Sequence, residues 1–441
     1  MRRFGHYWFV HSWRALLWLG TLFVLTQVSG AYSVLTHEQV VDLLWEDRLQ
    51  PMLKERFPDL TEKQFREAHA YAYGGSLVQD MGYYPFGSRY FSDLTHYVRT
   101  GDFVTCLIQE SRTANEYAFA LGALAHYAAD NSGHPMVNHV VALEFPDLQR
   151  KFGDLVTYAD SPKAHIRAEF GFDMTQVAKN RYTSDRYHDF VGFEISQGLL
   201  ERAFPKVYGI KFDDVVDDED LAIGSFRHAV SKIIPEMTRV ALLARRKEIV
   251  ADTPNAAEKK FLYYLSRTDY EQEWGTEYRR AGFGTKLLAI LLKLFPKKGP
   301  FSGLDFKIPT QQAEDLYIQS IDDTVDSYRK LLLQTQRGTL HLANRDCDTG
   351  RETQAGEYVL SDGTYAHLLD DLSDNDFKQV PPDLREDILG FYRNPDAPLS
   401  TKRKPKAWKK VQDQLRQLKA SAASQSVVPT RTGSENSGTQ P

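Results

Sequence analysis

Histidine and carboxylate residues follow one another through the N-terminal part of the chain at a spacing that suits metal binding. His126 and Asp130 stand four residues apart, and so do His165 and Glu169. In a helix this spacing places both side chains of a pair on one face, where they can reach one point. A single HxxxD pair is more often a core histidine bonded to an aspartate. A second pair, and the cost of burying a carboxylate in an apolar helix without a cation, favour a metal site.

A third histidine follows the first pair at the same interval. His134 stands four residues after Asp130, but Gly133 and Pro135 flank it. We therefore expect the helix to end there, because proline disfavours helical backbone at the residue before it. His134 would then turn from a loop into a cleft and serve a second ion, although His139 competes for that role.

Three more candidate ligands lie upstream. Asp80 and His96 flank a turn rich in glycine and aromatic residues, where a loop aspartate and a surface histidine remain the alternative interpretation. Thr36 and Gln39 have the spacing of a capping box, which predicts a helix with His37 in its first turn. All the candidate donors are nitrogen or oxygen atoms, which suit zinc.

The elements that must position these residues are helices. From Leu35 to about Val250, apolar residues recur at helical spacing, and no stretch alternates as a half-buried strand does. The sequence therefore predicts an all-α, multi-helix domain. Asn115–Asn131 is apolar on nearly every side and is expected to be a central buried helix.

The two ends of the chain differ in character from this domain. Residues 1–31 have arginines, an apolar run and a small-residue end, which predict a cleaved signal peptide and export. An uncleaved membrane anchor is the alternative, although the run is shorter than the roughly 20 residues of a span. We assign residues 32–252 to the catalytic domain, 253–419 to a mostly helical accessory region and 420–441 to a disordered tail. Residues 338–372 suit a loop or short hairpin within that accessory region.

Charge and cysteine content exclude some functions. A net charge of −5 argues against a protein that coats nucleic acid by bulk attraction. The two cysteines, Cys106 and Cys347, form no CxxC pair and so supply no thiolate metal site. They could form a disulfide or lie apart. No GxSxG elbow or glycine-rich phosphate loop indicates another chemistry.

Over residues 32–250 the order of ligands resembles the zinc-dependent phospholipase C family and its relatives, the single-strand-specific nucleases. The likeness is carried by the HYAAD segment, the Asp80–His96 interval, the HxxxE pair and the stretch from YSVLTHE to GHP. In this family the mature N-terminal residue, usually Trp, binds zinc through its amine and carbonyl. Tyr32 would occupy that place here. The family usually has its next histidine six residues after the HxxxD aspartate, whereas His134 follows at four and His139 at nine; we prefer His134.

The resemblance implies three zinc ions. The first would be held by Asp80, His96, His126 and Asp130. The second would be held by Tyr32, His37 and a bridging Asp130, and the third by His134, His165 and Glu169. Asp80 and Asp130 are the predicted catalytic residues.

The expected reaction is hydrolysis of a phosphodiester by a metal-bound hydroxide, with the ions stabilising negative charge on the phosphate. The first hypothesis is a phospholipase C that acts on phospholipid at a membrane surface and releases diacylglycerol and a phosphorylated head group. The protein would be exported to the periplasm or the medium of a bacterium, with or without membrane association. The alternatives are a single-strand-specific nuclease, with bases stacked on aromatic residues, and a non-catalytic envelope protein stabilised by zinc.

Overall fold

The structure is a computed structural model that describes residues 33–179, 192–235, 238, 241 and 306–425. The predicted signal peptide, Tyr32 and the predicted boundary at residue 252 lie outside the described residues. The chain divides into two compact units. One comprises Met1–Val207 and Lys211–Thr353, and the other comprises Tyr208–Ile210 and Gln354–Pro441.

The prediction of an all-α fold is confirmed. Two strands of two residues each, paired antiparallel, are the only strands in the described part of the chain. The helices of the first unit are α1 (Val34–Leu44), α2 (Gln50–Arg56), α3 (Glu62–Leu77), α4 (Arg89–Tyr97), α5 (Thr100–Glu110), α6 (Ala114–Glu144), α7 (Pro146–Phe152), α8 (Pro162–Ala178), α9 (Gln197–Tyr208), α10 (Glu219–His228) and α11 (Gln311–Gln336). Short π-helical turns follow α1 and α10, and a 3₁₀ helix (Val78–Tyr83) follows α3.

Helix α6 is the centre of the first unit and packs mainly against α3 and α11. The crossing of α3 and α6 depends on glycine. A Cβ atom at Gly122 would lie 2.1 Å from the carbonyl oxygen of Ala72, and one at Gly75 would lie 1.9 Å from that of Phe119. Both distances are far shorter than van der Waals contact, so the two backbones touch where only glycine fits.

Helix α6 does not end near His134, as the flanking residues led us to expect. It continues through Pro135 to Glu144. Proline removes one hydrogen bond inside a helix, but buried apolar residues beyond it, including Val137, Val140 and Val141, hold the helix in the core. His134 therefore lies on the helix itself, one turn after Asp130.

The predicted capping box at the start of α1 is also wrong. The N-cap residue is Ser33, without a side-chain capping bond. Thr36 lies inside the first turn, where its hydroxyl donates to Asp173 Oδ1 at 2.7 Å. A buried aspartate from α8 thus takes the hydroxyl that a capping box would have used. His37 does lie in the first turn, as predicted.

The C-terminal region is partly helical and partly built into the first unit. Helix α11 belongs to that unit, as do β1 (Arg345–Asp346) and β2 (Arg351–Glu352), which form the short hairpin expected within residues 338–372. The first unit thus extends to Thr353, well beyond the predicted end of the catalytic domain. Cys106 and Cys347, the two cysteines, are not bonded to each other.

The second unit contains the helices α12 (Val359–Asp374), α13 (Pro382–Phe391) and α14 (Pro405–Gln425), with a 3₁₀ turn before α14. The rings of Tyr365 and Phe391 stack within it, with centroids 3.8 Å apart. Because α12 begins at Val359, the end of the segment interpreted as loop or hairpin is helical. Because α14 reaches Gln425, the first residues of the predicted disordered tail are helical, and residues 426–441 lie outside the described residues.

Among the described residues, none of the helices combines the length and the apolar character needed to cross a bilayer.

Candidate metal centre

The structure gathers the predicted ligands into three groups of buried side chains. Within each group, the potential ligand atoms lie within 4.8 Å of one another. Each of these residues is at least 97% buried, and they come from five helical elements. The groups are His37, His126 and Asp130; Asp80, His96 and His126; and His134, His165 and Glu169. Tyr32, the remaining predicted ligand, lies outside the described residues.

Asp130 lies between the first two groups. Its Oδ2 atom is 3.0 Å from Nε2 of His126 and 3.4 Å from Nε2 of His96. Its Oδ1 atom faces the other way, 3.6 Å from Nε2 of His37. Two atoms that both bind one tetrahedral zinc lie about 3.3 Å apart, since each is about 2.0–2.1 Å from the ion. The carboxylate therefore has the orientation of a bridge between two ions.

The tautomers of His96 and His126 are set by backbone carbonyls. Nδ1 of His96 lies 2.7 Å from the carbonyl oxygen of Ser92, and Nδ1 of His126 lies 2.9 Å from that of Ser76. A carbonyl oxygen only accepts, so each Nδ1 carries the hydrogen. The Nε2 lone pairs then point into the centre, which is how metal-binding histidines are oriented by their outer hydrogen bonds.

Asp80 reaches the centre from the 3₁₀ helix that follows α3. Its Oδ1 atom lies 3.4 Å from Nε2 of His96. The hydroxyl of Ser92, on α4, donates to the carbonyl of Gln79 and accepts from the amide of Gly82, 2.9 Å away. This serine ties the turn that carries Asp80 to the helix that carries His96.

The third group unites α6 and α8. Nε2 of His165 donates to the carbonyl of Val156 at 2.6 Å, which leaves Nδ1 to face Glu169 Oε1 at 3.5 Å. Both ring nitrogens of His134 are buried and form no hydrogen bond. The same holds for His165 Nδ1 and Glu169 Oε1. Buried polar atoms without partners are costly, and a zinc ion would satisfy these with the nitrogen and oxygen donors that it prefers.

His139, the alternative to His134, lies away from this group. Its Nδ1 is 3.3 Å from the carbonyl of Asp154, in an exposed contact. Because α6 stays helical past Pro135, His134 shares a face with His126 and Asp130, whereas His139 does not. Helix continuity thus places His134, and not His139, beside Glu169.

Electrostatics keep some of these groups neutral when no cation is present. Burial lowers the pKa of His37 to about 3, and the nearby His126 acts in the same direction. Burial also lowers the pKa of His165 and raises that of Glu169 well above its usual value. Neutral imidazoles have the lone pairs that zinc requires.

The group around Asp130 attracts positive charge. Burial alone would lower the pKa of His96, but Asp130 and Asp80 outweigh it and raise that pKa well above its usual value. Burial alone would raise the pKa of Asp130, but His126 and His96 outweigh it and hold the pKa well below its usual value. A divalent cation would supply the same positive charge without the proton.

The helix that carries His37 is anchored beside the centre by Asp173. This carboxylate accepts from the amide of Leu35 at 3.0 Å and from the hydroxyl of Thr36 at 2.7 Å. The hydroxyls of Thr36 and Tyr317 are also hydrogen-bonded, 2.7 Å apart. Helix α11 therefore helps to position α1, although it lies in a region that the sequence assigned to an accessory role.

One carboxylate at the centre was not identified from the sequence. Asp348, in the β1–β2 hairpin, is 1% exposed and places Oδ1 3.3 Å from Nε2 of His134. No interval to the other candidates could have revealed it, since it lies more than two hundred residues downstream of His134. The hairpin prediction for this segment was the only local signal.

Residues 36–211 match the family model described as zinc-dependent phospholipase C. The match includes every described candidate ligand from His37 to Glu169, and it excludes α11 and the hairpin with Asp348. No curated protein matches the chain significantly. The same is true of the solved structures.

Proposed function

We propose that this chain, whose residues 36–211 match the zinc-dependent phospholipase C family model, hydrolyses phospholipids to diacylglycerol and a phosphorylated head group. The family supports a hydrolase of this general kind. The observation that carries the proposal is the orientation of Asp130, whose two oxygens face different groups of histidines. This arrangement suits a cluster of two or three ions.

Zinc ions bound at these groups would lower the pKa of water and stabilise negative charge on a phosphate during in-line displacement. The residues of the chain would hold and orient these ions. Asp130 would set the spacing of two of them, and the backbone carbonyls behind His96 and His126 fix the direction of the histidine lone pairs. Asp80 and Asp130 are the proposed catalytic carboxylates, because they would hold the ions against the scissile phosphate. No separate side-chain nucleophile is needed.

An exposed aromatic residue in the turn after the 3₁₀ helix of Asp80 supports a lipid substrate. Phe86 is 67% exposed and has a left-handed backbone with φ of 63°. A bulky residue in this conformation is strained, and such strain is common at functional sites. Tyr83, the last residue of the 3₁₀ helix before this turn, has its ring centroid 6.0 Å from that of His96. A short stretch of chain thus joins a ring next to a proposed metal ligand to an exposed apolar side chain, which would enter a membrane surface.

Export is part of the proposal. The N-terminal pattern of a signal peptide supports release of the mature chain at Tyr32 into the periplasm or the medium. Cleavage after Ala31 would also free the amine with which Tyr32 would bind the second ion.

The test is an assay of the purified mature chain, with zinc content measured on the same preparation. Phosphatidylcholine vesicles and single-stranded DNA are offered as substrates, and Asp80→Asn is the matched control. We expect release of diacylglycerol and phosphocholine that disappears in the variant and after chelation.

Other outcomes would overturn the proposal. Cleavage of single-stranded DNA without lipid turnover would assign the chain to the nuclease branch. Zinc binding without turnover of any phosphodiester, together with unfolding on chelation, would identify a zinc-stabilised structural protein.

A further inference from the structure

We infer that Asp348 is an additional ligand of the metal centre, at the ion that His134 binds. The inference rests on the proposed metal site and extends it beyond the segment that matches the family. It assigns a metal-binding role to the β1–β2 hairpin, which lies outside the residues that match the family model.

The distance between Asp348 and His134 fits two ligands of one ion. Oδ1 of Asp348 lies 3.3 Å from Nε2 of His134. Two ligand atoms of a tetrahedral zinc lie about 3.3 Å apart, given bonds of about 2.0–2.1 Å. A hydrogen bond between an imidazole and a carboxylate is shorter, at about 2.7–2.9 Å. The spacing resembles that of His96 and Asp80, which is 3.4 Å.

The hairpin is built to hold this carboxylate in place. Oδ1 of Asp346 accepts from the amides of Asp348 and Thr349 at 3.0 and 3.1 Å. The hydroxyl of Tyr97 donates to Oδ2 of Asp348 at 2.9 Å. The side-chain amide of Asn138 donates to the backbone carbonyl oxygen of Asp348 at 2.8 Å. Asp348 is thus positioned from both the turn and the helices.

The same hairpin is joined to the backbone of the centre. The amide of Cys347 donates to the carbonyl of His96 at 3.0 Å. Gly350 has φ of 68°, and a Cβ atom there would lie 2.7 Å from the carbonyl oxygen of Asn131. Pro135 has no N–H to bond this carbonyl, so the hairpin packs where the helix has lost a hydrogen bond.

The position of Asn138 extends a polar stripe along α6. His126, Asp130, His134 and Asn138 follow one another at intervals of four residues, which places them along one side of the helix. The first three face the proposed ions, and the fourth supports Asp348. A buried carboxylate next to other carboxylates is costly unless a cation lies between them.

The experiment compares wild type with Asp348→Asn and with Glu352→Gln as the matched control. Glu352 lies on the same hairpin but is exposed, so this variant also replaces a hairpin carboxylate by an amide. Zinc per chain is measured by elemental analysis, and affinity is measured by competition with a chelator. We expect Asp348→Asn to lose about one ion per chain or to bind one ion at least tenfold more weakly, by analogy with losses at outer-shell groups. Glu352→Gln is expected to retain wild-type binding.

A second measurement separates ligation from a structural role. The melting temperature of each protein is recorded after zinc removal. If Asp348 is a ligand, the metal-free Asp348→Asn protein should be at least as stable as metal-free wild type, because one buried negative charge is gone. Three results would overturn the inference. Asp348→Asn could bind zinc as wild type does, both variants could lose zinc equally, or the metal-free Asp348→Asn protein could melt at a lower temperature than metal-free wild type. A wild-type protein that binds no zinc would overturn it as well. Zinc binding without lipid turnover would contradict only the proposed function.

Discussion

The Nε2 atoms of His96 and His126 face each other at 3.3 Å, with each Nδ1 donating to a backbone carbonyl. Two imidazole lone pairs at this distance repel each other unless a proton or a cation lies between them. Asp130 Oδ2 lies within 3.4 Å of both nitrogens. The helices that carry these rings therefore create a position between His96, His126 and Asp130 that requires a positive charge. Five predictions concern this centre and the residues around it.

Substitution of His126 should remove zinc. His126 belongs to two of the three ligand groups, so His126→Gln should weaken zinc binding by more than about a hundredfold, beyond the usual loss for an outer-shell partner. The matched control is His139→Gln, on the same helix but outside the groups. Elemental analysis and competition with a chelator measure the effect. Full zinc content in His126→Gln, or a loss in His139→Gln, would contradict the ligand assignment.

Zinc binding should release protons. The pKa values of His96 and Glu169 are raised well above their usual values in the metal-free centre, so each group keeps its proton to a higher pH than usual, and zinc must displace that proton to bind. Affinity should therefore rise with pH, by up to about tenfold per pH unit for each proton released. Calorimetric titrations in buffers with different heats of ionisation count the protons. A binding enthalpy that is the same in every buffer would show that none is released.

The contact between α3 and α6 should not tolerate a methyl group. Gly122→Ala should lower the free energy of unfolding by at least about 2 kcal/mol, because a rigid backbone carbonyl occupies the space. Zinc affinity should fall as well, since His126 lies one turn away. Gly224→Ala is the control, because a Cβ atom there meets nothing within 4 Å, and alanine should stabilise that helix by about 0.5–1 kcal/mol. If Gly122→Ala and Gly224→Ala changed the free energy of unfolding equally in chemical denaturation, the proposed close contact between α3 and α6 would be refuted.

The anchor of α1 should depend on pH. Burial raises the pKa of Asp173 from its usual value to about 7. An acid with a raised pKa in the folded state binds its proton more tightly when folded, so its contribution to stability is lost as pH rises from about 4 to about 7. The stability of wild type relative to Asp173→Asn should fall across this range, by at most about 1.4 kcal/mol per pH unit. Denaturation of both zinc-loaded proteins, from pH 7 down to the lowest pH at which zinc is retained, measures the slope. A constant difference would show that Asp173 is already ionised.

The exposed aromatic turn should matter only for aggregated substrate. Phe86→Gly removes the apolar side chain and relieves the positive φ, so stability should change little. Activity on phosphatidylcholine vesicles should fall about tenfold or more, whereas activity on a short-chain lipid below its micelle concentration should remain. Equal activity of both proteins on vesicles would show that this residue does not contact the lipid surface.

Much of the centre could be predicted because its ligands repeat at helical intervals. The HxxxD and HxxxE pairs depend only on the helical repeat, which is local, and the structure brings their members together. The resemblance to zinc-dependent phospholipases C is confirmed by the family match. The structure places His134 in one group with Glu169, but on a continuous helix and not in a loop. Local rules ended the helix at Pro135, whereas burial of the residues beyond it maintained the helix.

The capping box at Thr36 failed for a related reason. The spacing is a local signal, but the hydroxyl of Thr36 had a stronger partner in Asp173, which is 137 residues away. The contacts of α11 with α1 and of the hairpin with His134 could not be predicted either, because these segments are also far apart in the sequence.

The amino-acid sequence alone determined the helical class, the candidate ligands and the resemblance to the zinc-dependent phospholipase C family, because helical periodicity and the order of candidate ligands depend on short intervals along the chain. Only the tertiary structure decided which carboxylates share the centre, where the first unit ends and how Asp348 reaches His134. These relationships arise from packing between segments that are separated in the sequence, by more than two hundred residues for His134 and Asp348. Local intervals along a sequence carry no information about such contacts.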